Sequence, residues 1–158
     1  MKQKAFFFGK RSTVEEVEEG TTFSPKFDAD GLIPVVTTEA ESGNLLMVGY
    51  MNDEALGLTI ETKEAHYWSR SRNVLWKKGQ TSGLVQRVVE LKVDDDQDSL
   101  WLRVKVDGSG ASCHVGYHSC FYRTLPLGNV KNTLVFTENE KSFDPIEVYG
   151  DAPNPTRI

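Results

Sequence analysis

What most constrains this chain is a succession of short β-rich runs, separated by turn residues and interrupted by a single strong helical stretch. Leu32 to Thr38 and Leu45 to Tyr50 flank Glu41-Ser42-Gly43-Asn44, which reads as a hairpin. Helix signals follow directly: Asn52 suits an N-cap, Asp53 and Glu54 suit the positive helix end, and Met51 can staple onto Leu56. Leu56 and Ile60 then lie one turn apart on the expected buried face, with Thr62 near the end. The strand pattern resumes with His66, Trp68 and Arg70 on one face and Tyr67, Ser69 and Ser71 on the other. Gly79 to Gly83 is a loop, Val85 to Val93 and Leu100 to Val106 are strands around an acidic turn, and His118 to Leu125 is the last run. One main helix among strands mostly joined by short turns predicts an α+β domain built on a largely antiparallel β-sheet.

The 158 residues suit one domain. Its expected parts are an N-terminal extension (1–29), a catalytic body (30–126) and a polar, proline-containing tail (127–158). Within the extension, Ser12 and Glu15 have capping-box spacing, so a short acidic helix is expected from Ser12 to Glu19. No run approaches the ~20 apolar residues of a membrane span. The apolar stretch Ala5 to Phe8 is too short for a signal-peptide core, and two cysteines are too few for a disulfide scaffold. A cytoplasmic protein is expected. The net charge of -5 argues against a dedicated duplex nucleic-acid binder.

That average conceals an asymmetry. From Ala65 to Val89 there is no acidic residue, yet Arg70, Arg72, Lys77, Lys78 and Arg87 are present. The remainder carries 13 basic and 23 acidic side chains, a net of -10, so the basic stretch is either a solvated strand face or an anion site. Interleaved His66, Tyr67, Trp68 and Trp76 favour a flat, phosphorylated ligand. Beside them, Trp76-Lys77-Lys78-Gly79-Gln80-Thr81-Ser82-Gly83 offers glycine-rich amides, hydroxyls from Thr81 and Ser82, and two lysines, a set able to cradle phosphate or to form an ordinary turn.

Two further motifs carry possible chemistry. Asp94-Asp95-Asp96-Gln97-Asp98 clusters hard oxygens suited to Mg²⁺ or Ca²⁺, the alternative being a solvated acidic turn. In an extended chain Asp94, Asp96 and Asp98 point one way and Asp95 the other, so the backbone must curve for them to share an ion. Cys113-His114-Val115-Gly116-Tyr117-His118-Ser119-Cys120 places two thiols and two imidazoles within eight residues, a set suited to Zn²⁺ or to two buried free thiols.

Taken in order from about Leu32 to Arg123, the segments YMN, EAL, ETKEAHYWSRSRN, LWKKG, TSG, DDDQD and CHVGYHSCF resemble the phosphoribosyl-AMP cyclohydrolases of histidine biosynthesis. The resemblance implies a cytoplasmic, intertwined homodimer with active sites at the subunit interface and a nucleotide substrate. It implies Mg²⁺ on Asp94, Asp96 and Asp98, and one Zn²⁺ per subunit on Cys113 and Cys120 plus a third ligand from the partner's acidic motif. The pyrophosphohydrolase domain often fused to these enzymes is not expected. The family's acidic motif has cysteine where this chain has Asp95. Leu84 replaces an asparagine after TSG, and Val115, Tyr117 and His118 replace a threonine and two arginines. Asp95 then either replaces the sulfur as a zinc ligand, yields that role to His114 or His118, or marks a zinc-sparing or diverged paralogue.

For such a substrate the adenine N1 carries a phosphoribosyl group, leaving C6 electron-poor. A metal-activated water can attack C6, and ring opening then needs a proton at N1. His114 is the first expected proton donor and His66 the second. Trp68 or Trp76 is expected to stack on the base, while Arg70, Arg72 and Lys78 take phosphate charge. A hydrolase acting on a related N-ribosylated purine and a non-catalytic nucleotide or single-stranded RNA binder are the alternatives.

Overall fold

The computed structural model describes residues 5–128 and 131–158. In the N-terminal segment, Val14–Glu19 forms α1, capped not by Ser12 but by Thr13, whose hydroxyl accepts from the Glu16 amide at 3.1 Å. The hairpin forms as expected: β1 (Ile33–Glu39) pairs antiparallel with β2 (Leu45–Met51). Asn52 then caps α2 (Asp53–Thr62) through its side-chain oxygen, which accepts from the Ala55 amide at 2.8 Å. Leu56 is fully buried, but Ile60 is 47% exposed. The buried face runs through Ala55, Leu56 and Thr59, and the helical repeat carries Ile60 outward.

After α2, β3 (His66–Ser69) pairs antiparallel with β4 (Val74–Lys77) across a turn in which Asn73 has φ 55°. The long strand β5 (Gln86–Val93) returns antiparallel to β6 (Leu100–Val106). The main sheet has the order β2-β1-β6-β5, and its β1–β6 pair is parallel. Period-two burial follows from the pleat: Ile33, Val35, Leu100, Leu102 and Val104 face inward with Leu46, Met51, Leu56 and Tyr67. Val36, Val48 and Trp101 adjoin one another on the outer face and stay substantially exposed.

Both ends of the chain dock on this body. Phe8, Phe23 and Phe27 pack against the core, and Gly9 donates to the Phe23 carbonyl at 2.8 Å. The expected strand from His118 to Leu125 is reduced to β7 (Arg123–Thr124), paired with β8 (Val135–Phe136). Its first residues spend their amides elsewhere: His118 and Ser119 donate to the Glu138 carboxylate and Cys120 donates to the Leu46 carbonyl. A third helix, α3 (Pro145–Tyr149), is capped by Asp144. Among the described residues no helix is long and apolar enough to cross a membrane.

Candidate active site

A chain of buried polar contacts runs from the sheet to the cysteine loop. The Tyr67 hydroxyl meets Thr37 at 2.7 Å and donates to Gln86 Oε1 at 2.6 Å; the Gln86 amide then donates to the Ser112 hydroxyl at 3.1 Å. Lys78 closes the chain by donating to the Ser112 carbonyl at 2.5 Å. These groups are removed from water and satisfied by each other, so the network fixes the loop that begins at Ser112 relative to the core. Burial pushes the Lys78 ammonium below its ordinary value, against the opposing pull of Cys120 and Cys113.

Cys113 and Cys120 are free thiols that hydrogen-bond to each other. The contact from Cys120 brings the Cys113 thiol down to about 6 against the opposing effect of burial, and the same shared proton pushes Cys120 up. A sulfur pair that favours one thiolate, beside a cationic lysine, is the donor chemistry of a soft divalent cation such as Zn²⁺. Two sulfurs alone leave a tetrahedral set open. His114, next to Cys113, has a ring whose Nε2 is buried without a partner. Burial, then the Lys78 charge, holds the imidazole below its usual range, opposed by a hydrogen bond with the Asn154 side chain.

The acidic loop lies at the other end of β6. Gln97 adopts φ 57° and turns the chain toward Asp98, and just before it carboxylate oxygens of Asp94, Asp95 and Asp96 lie within 4.8 Å of one another. Asp98 lies beside them, its carboxyl pushed above the ordinary value by the neighbouring carboxyls of Asp94 and Asp96. An extended chain would point Asp95 away from Asp94 and Asp96; the loop curves and brings it in beside them. Asp94 Oδ1 also accepts from the Asp98 and Ser99 amides at 3.0 and 3.1 Å.

A cavity of about 460 Å³ lies beside the cysteine loop, within the size range of small-molecule sites. Arg72, Trp76, Lys78, Thr81, Ser82 and His114 line it. The remaining expected contacts are placed elsewhere. His66 is buried, with Nδ1 at 2.7 Å from the Glu64 carbonyl, and Trp68 and Arg70 do not line the cavity; Arg70 lies 3.9 Å over the Tyr50 ring. Lys77 and Arg87 are paired with Glu64, and Arg87 also with Asp107. The basic stretch is thus partly neutralised by acids just outside it. Sequence reasoning missed the far wall of the cavity, formed by Ile146, Tyr149, Pro153 and Asn154 from the tail. No local signal marked those residues, because only the fold brings them to His114.

An α+β body bearing a thiol pair, an acidic loop and a small-molecule-sized cavity has the make-up of a small hydrolase. The profile of the phosphoribosyl-AMP cyclohydrolase family matches residues 47–122. The chain is 59% identical over 133 residues to a phosphoribosyl-AMP cyclohydrolase of Mesorhizobium japonicum, covering 84% of this chain and 87% of the relative. Proteins of the same name from Rhodopseudomonas palustris strain TIE-1 and Brucella canis are 54% and 59% identical, covering 86% and 83% of this chain and 90% and 96% of theirs. This chain belongs to the phosphoribosyl-AMP cyclohydrolase family.

Proposed function

We propose that this chain acts as the phosphoribosyl-AMP cyclohydrolase its relatives are named for, opening the N1–C6 bond of the adenine ring as a step of histidine biosynthesis. The observation that carries the reading is the cavity uniting the Trp76–Ser82 segment with His114, one residue from the thiol pair. Thr81, Ser82 and the loop amides suit a phosphate, and the Arg72 guanidinium suits a second anionic group. Trp76 offers an aromatic face to the purine. His114 lines the cavity and is assigned the proton transfer to N1, and its buried, unpartnered Nε2 has the character of a group completed by a ligand. His66 is committed to the Glu64 carbonyl, which supports a structural role for it.

Cys113 and Cys120 suit one Zn²⁺ per subunit, and Asp94, Asp96 and Asp98 suit Mg²⁺, which leaves Asp95 of the same loop free for zinc. Zinc held there would supply Lewis acidity, bringing the pKa of a coordinated water toward ~7. The two donor groups are separated by β6, whose seven residues span roughly 20 Å, so one subunit's thiols fit the acidic loop of a second copy better than their own. The exposed Val36, Val48 and Trp101 give that copy an apolar face to cover. In this homodimer Asp95 supplies the third zinc ligand as a carboxylate, in the place of the family cysteine. Free thiols suit a reducing compartment, so the reaction is assigned to the cytoplasm.

Phosphoribosyl-AMP added to protein of defined metal content, with ring opening followed by ultraviolet absorbance, tests the activity; no turnover with any divalent metal refutes it. Zinc analysis of Asp95→Ala tests the ligand set. A fall from about one zinc per subunit supports the Cys₂Asp assignment, and an unchanged content rules it out.

A further inference from the structure

The cavity has two walls of different origin. One comes from β4, the glycine loop and His114; the other from the C-terminal arm, with Ile146, Tyr149, Pro153 and Asn154. The arm is not held by the hydrophobic core: α3 buries no residue, and Ile146 is 76% exposed. It is held by the cysteine loop. Ser142 donates to the Gly116 carbonyl at 2.7 Å, and a Cβ at Gly116 would lie 2.5 Å from the Phe143 carbonyl oxygen. Gly116 also has φ 108°, a conformation few side chains tolerate, so the close approach depends on glycine. The Glu138 carboxylate accepts from the amides of both His118 and Ser119. At the far end of the arm, Asn154 lines the same cavity as His114, and its side chain is the neighbour that opposes the lowering of the His114 imidazole.

The Nε2 of that ring is buried with no partner. An orphaned buried polar atom is costly, and native sites that retain one commonly complete it with a ligand. A solvated tail has no reason to anchor on a cysteine loop and end against an unpartnered imidazole. A wall that shapes a ligand site does.

We propose that the arm from Pro145 to Pro155 is the second wall of the nucleotide pocket, with Tyr149 contacting the base and Asn154 acting as a positioning residue for His114. This rests on the activity proposed above. Asn154 contributes no group to the chemistry. Its amide fixes the ring's rotation, so its loss is felt in turnover rather than in binding, because small displacements of a reacting group cost rate steeply. Tyr149 contributes aromatic surface, so its loss is felt in binding.

The test uses the full chain loaded with zinc and magnesium, in four forms: wild type, Asn154→Ala, Tyr149→Ala, and Glu41→Gln, the last an exposed residue of the β1–β2 turn that does not line the cavity. Asn154→Ala is expected to lower kcat by about 10–100-fold with KM within about twofold. Tyr149→Ala is expected to raise KM by about tenfold with kcat retained, and Glu41→Gln to match wild type. Asn154→Ala with unchanged kcat, or with KM raised as much as kcat falls, overturns the positioning role. Tyr149→Ala with unchanged KM overturns the wall. If wild type opens no ring, the activity proposal has failed by itself. AMP titration followed by tryptophan fluorescence then decides the wall: weaker binding by Tyr149→Ala supports it, and equal binding overturns it.

Discussion

Gln97 ties the N-terminal segment to the acidic loop through both its side chain and its backbone. Its Oε1 accepts from the Ser24 amide at 2.8 Å, and its Nε2 donates to the Val17 and Thr22 carbonyls at 3.0 and 3.2 Å. Its own carbonyl accepts from the Lys26 amide at 2.7 Å. Gln97→Ala keeps that backbone bond and removes the side-chain ones. Ser24 and Val17 are buried, so their backbone groups lose a partner where water does not readily replace it, while exposed Thr22 can be rehydrated. At ~1–3 kcal/mol for each buried orphan, the loss is roughly 2–4 kcal/mol. It falls on a local opening of residues 5–28 rather than on the sheet, so hydrogen exchange at the Ser24 and Gly9 amides is the direct assay, with urea unfolding beside it. Gln97 also has φ 57°. Gln97→Gly loses the same bonds but releases about 1 kcal/mol of left-handed strain, and is expected to be less destabilised than Gln97→Ala by that amount. Ser24 protection unchanged in Gln97→Ala, with stability within ~0.5 kcal/mol of wild type, would refute the reasoning.

Gly116→Ala forces a Cβ to within 2.5 Å of the Phe143 carbonyl oxygen at φ 108°, so the arm is expected to lift and trypsin to cut faster after Lys141, with the melting of the core little changed. Cleavage at the wild-type rate would show that the arm does not depend on this contact. The Lys77 hydrogen bond holds the Glu64 carboxyl below its ordinary value, so this pair's contribution is present above the unfolded-state value near pH 4 and is lost as pH falls through the lower folded-state value. Glu64→Gln should therefore flatten the acid limb of a stability–pH curve, and an unchanged limb would contradict the assignment. Leu102→Ala, at a fully buried position of β6, is expected to cost about 2–5 kcal/mol in denaturant unfolding; a loss under ~1 kcal/mol would place Leu102 outside the core.

The strands and the main helix were legible because their signals are local. Alternation at Ile33, Val35 and Thr37 and the Asn52 cap need no knowledge of distant residues. Strand β4 was not, since Val74–Lys77 is only four residues long and lies inside the basic aromatic stretch. Ile60 was misplaced because one-turn spacing does not fix where a helix face is centred; its contact with β3 does, through Thr59, whose hydroxyl accepts from the His66 amide at 2.9 Å. The run from His118 to Leu125 has strand composition, but its amides find the Glu138 carboxylate and the edge of β2.

By itself the sequence determined the chemical inventory: a thiol pair, a run of carboxylates, a cation-rich aromatic stretch and a glycine loop, because residue identity and short-range spacing survive any fold. Only the tertiary structure decided how those groups are used. Long-range packing tied Arg87 and Lys77 to Glu64 and buried Lys78 beside the sulfurs. It also brought Asn154 to His114, 40 positions away in the chain. Charge pairing, burial and approach between distant segments depend on three-dimensional distance, which no local pattern of residues encodes.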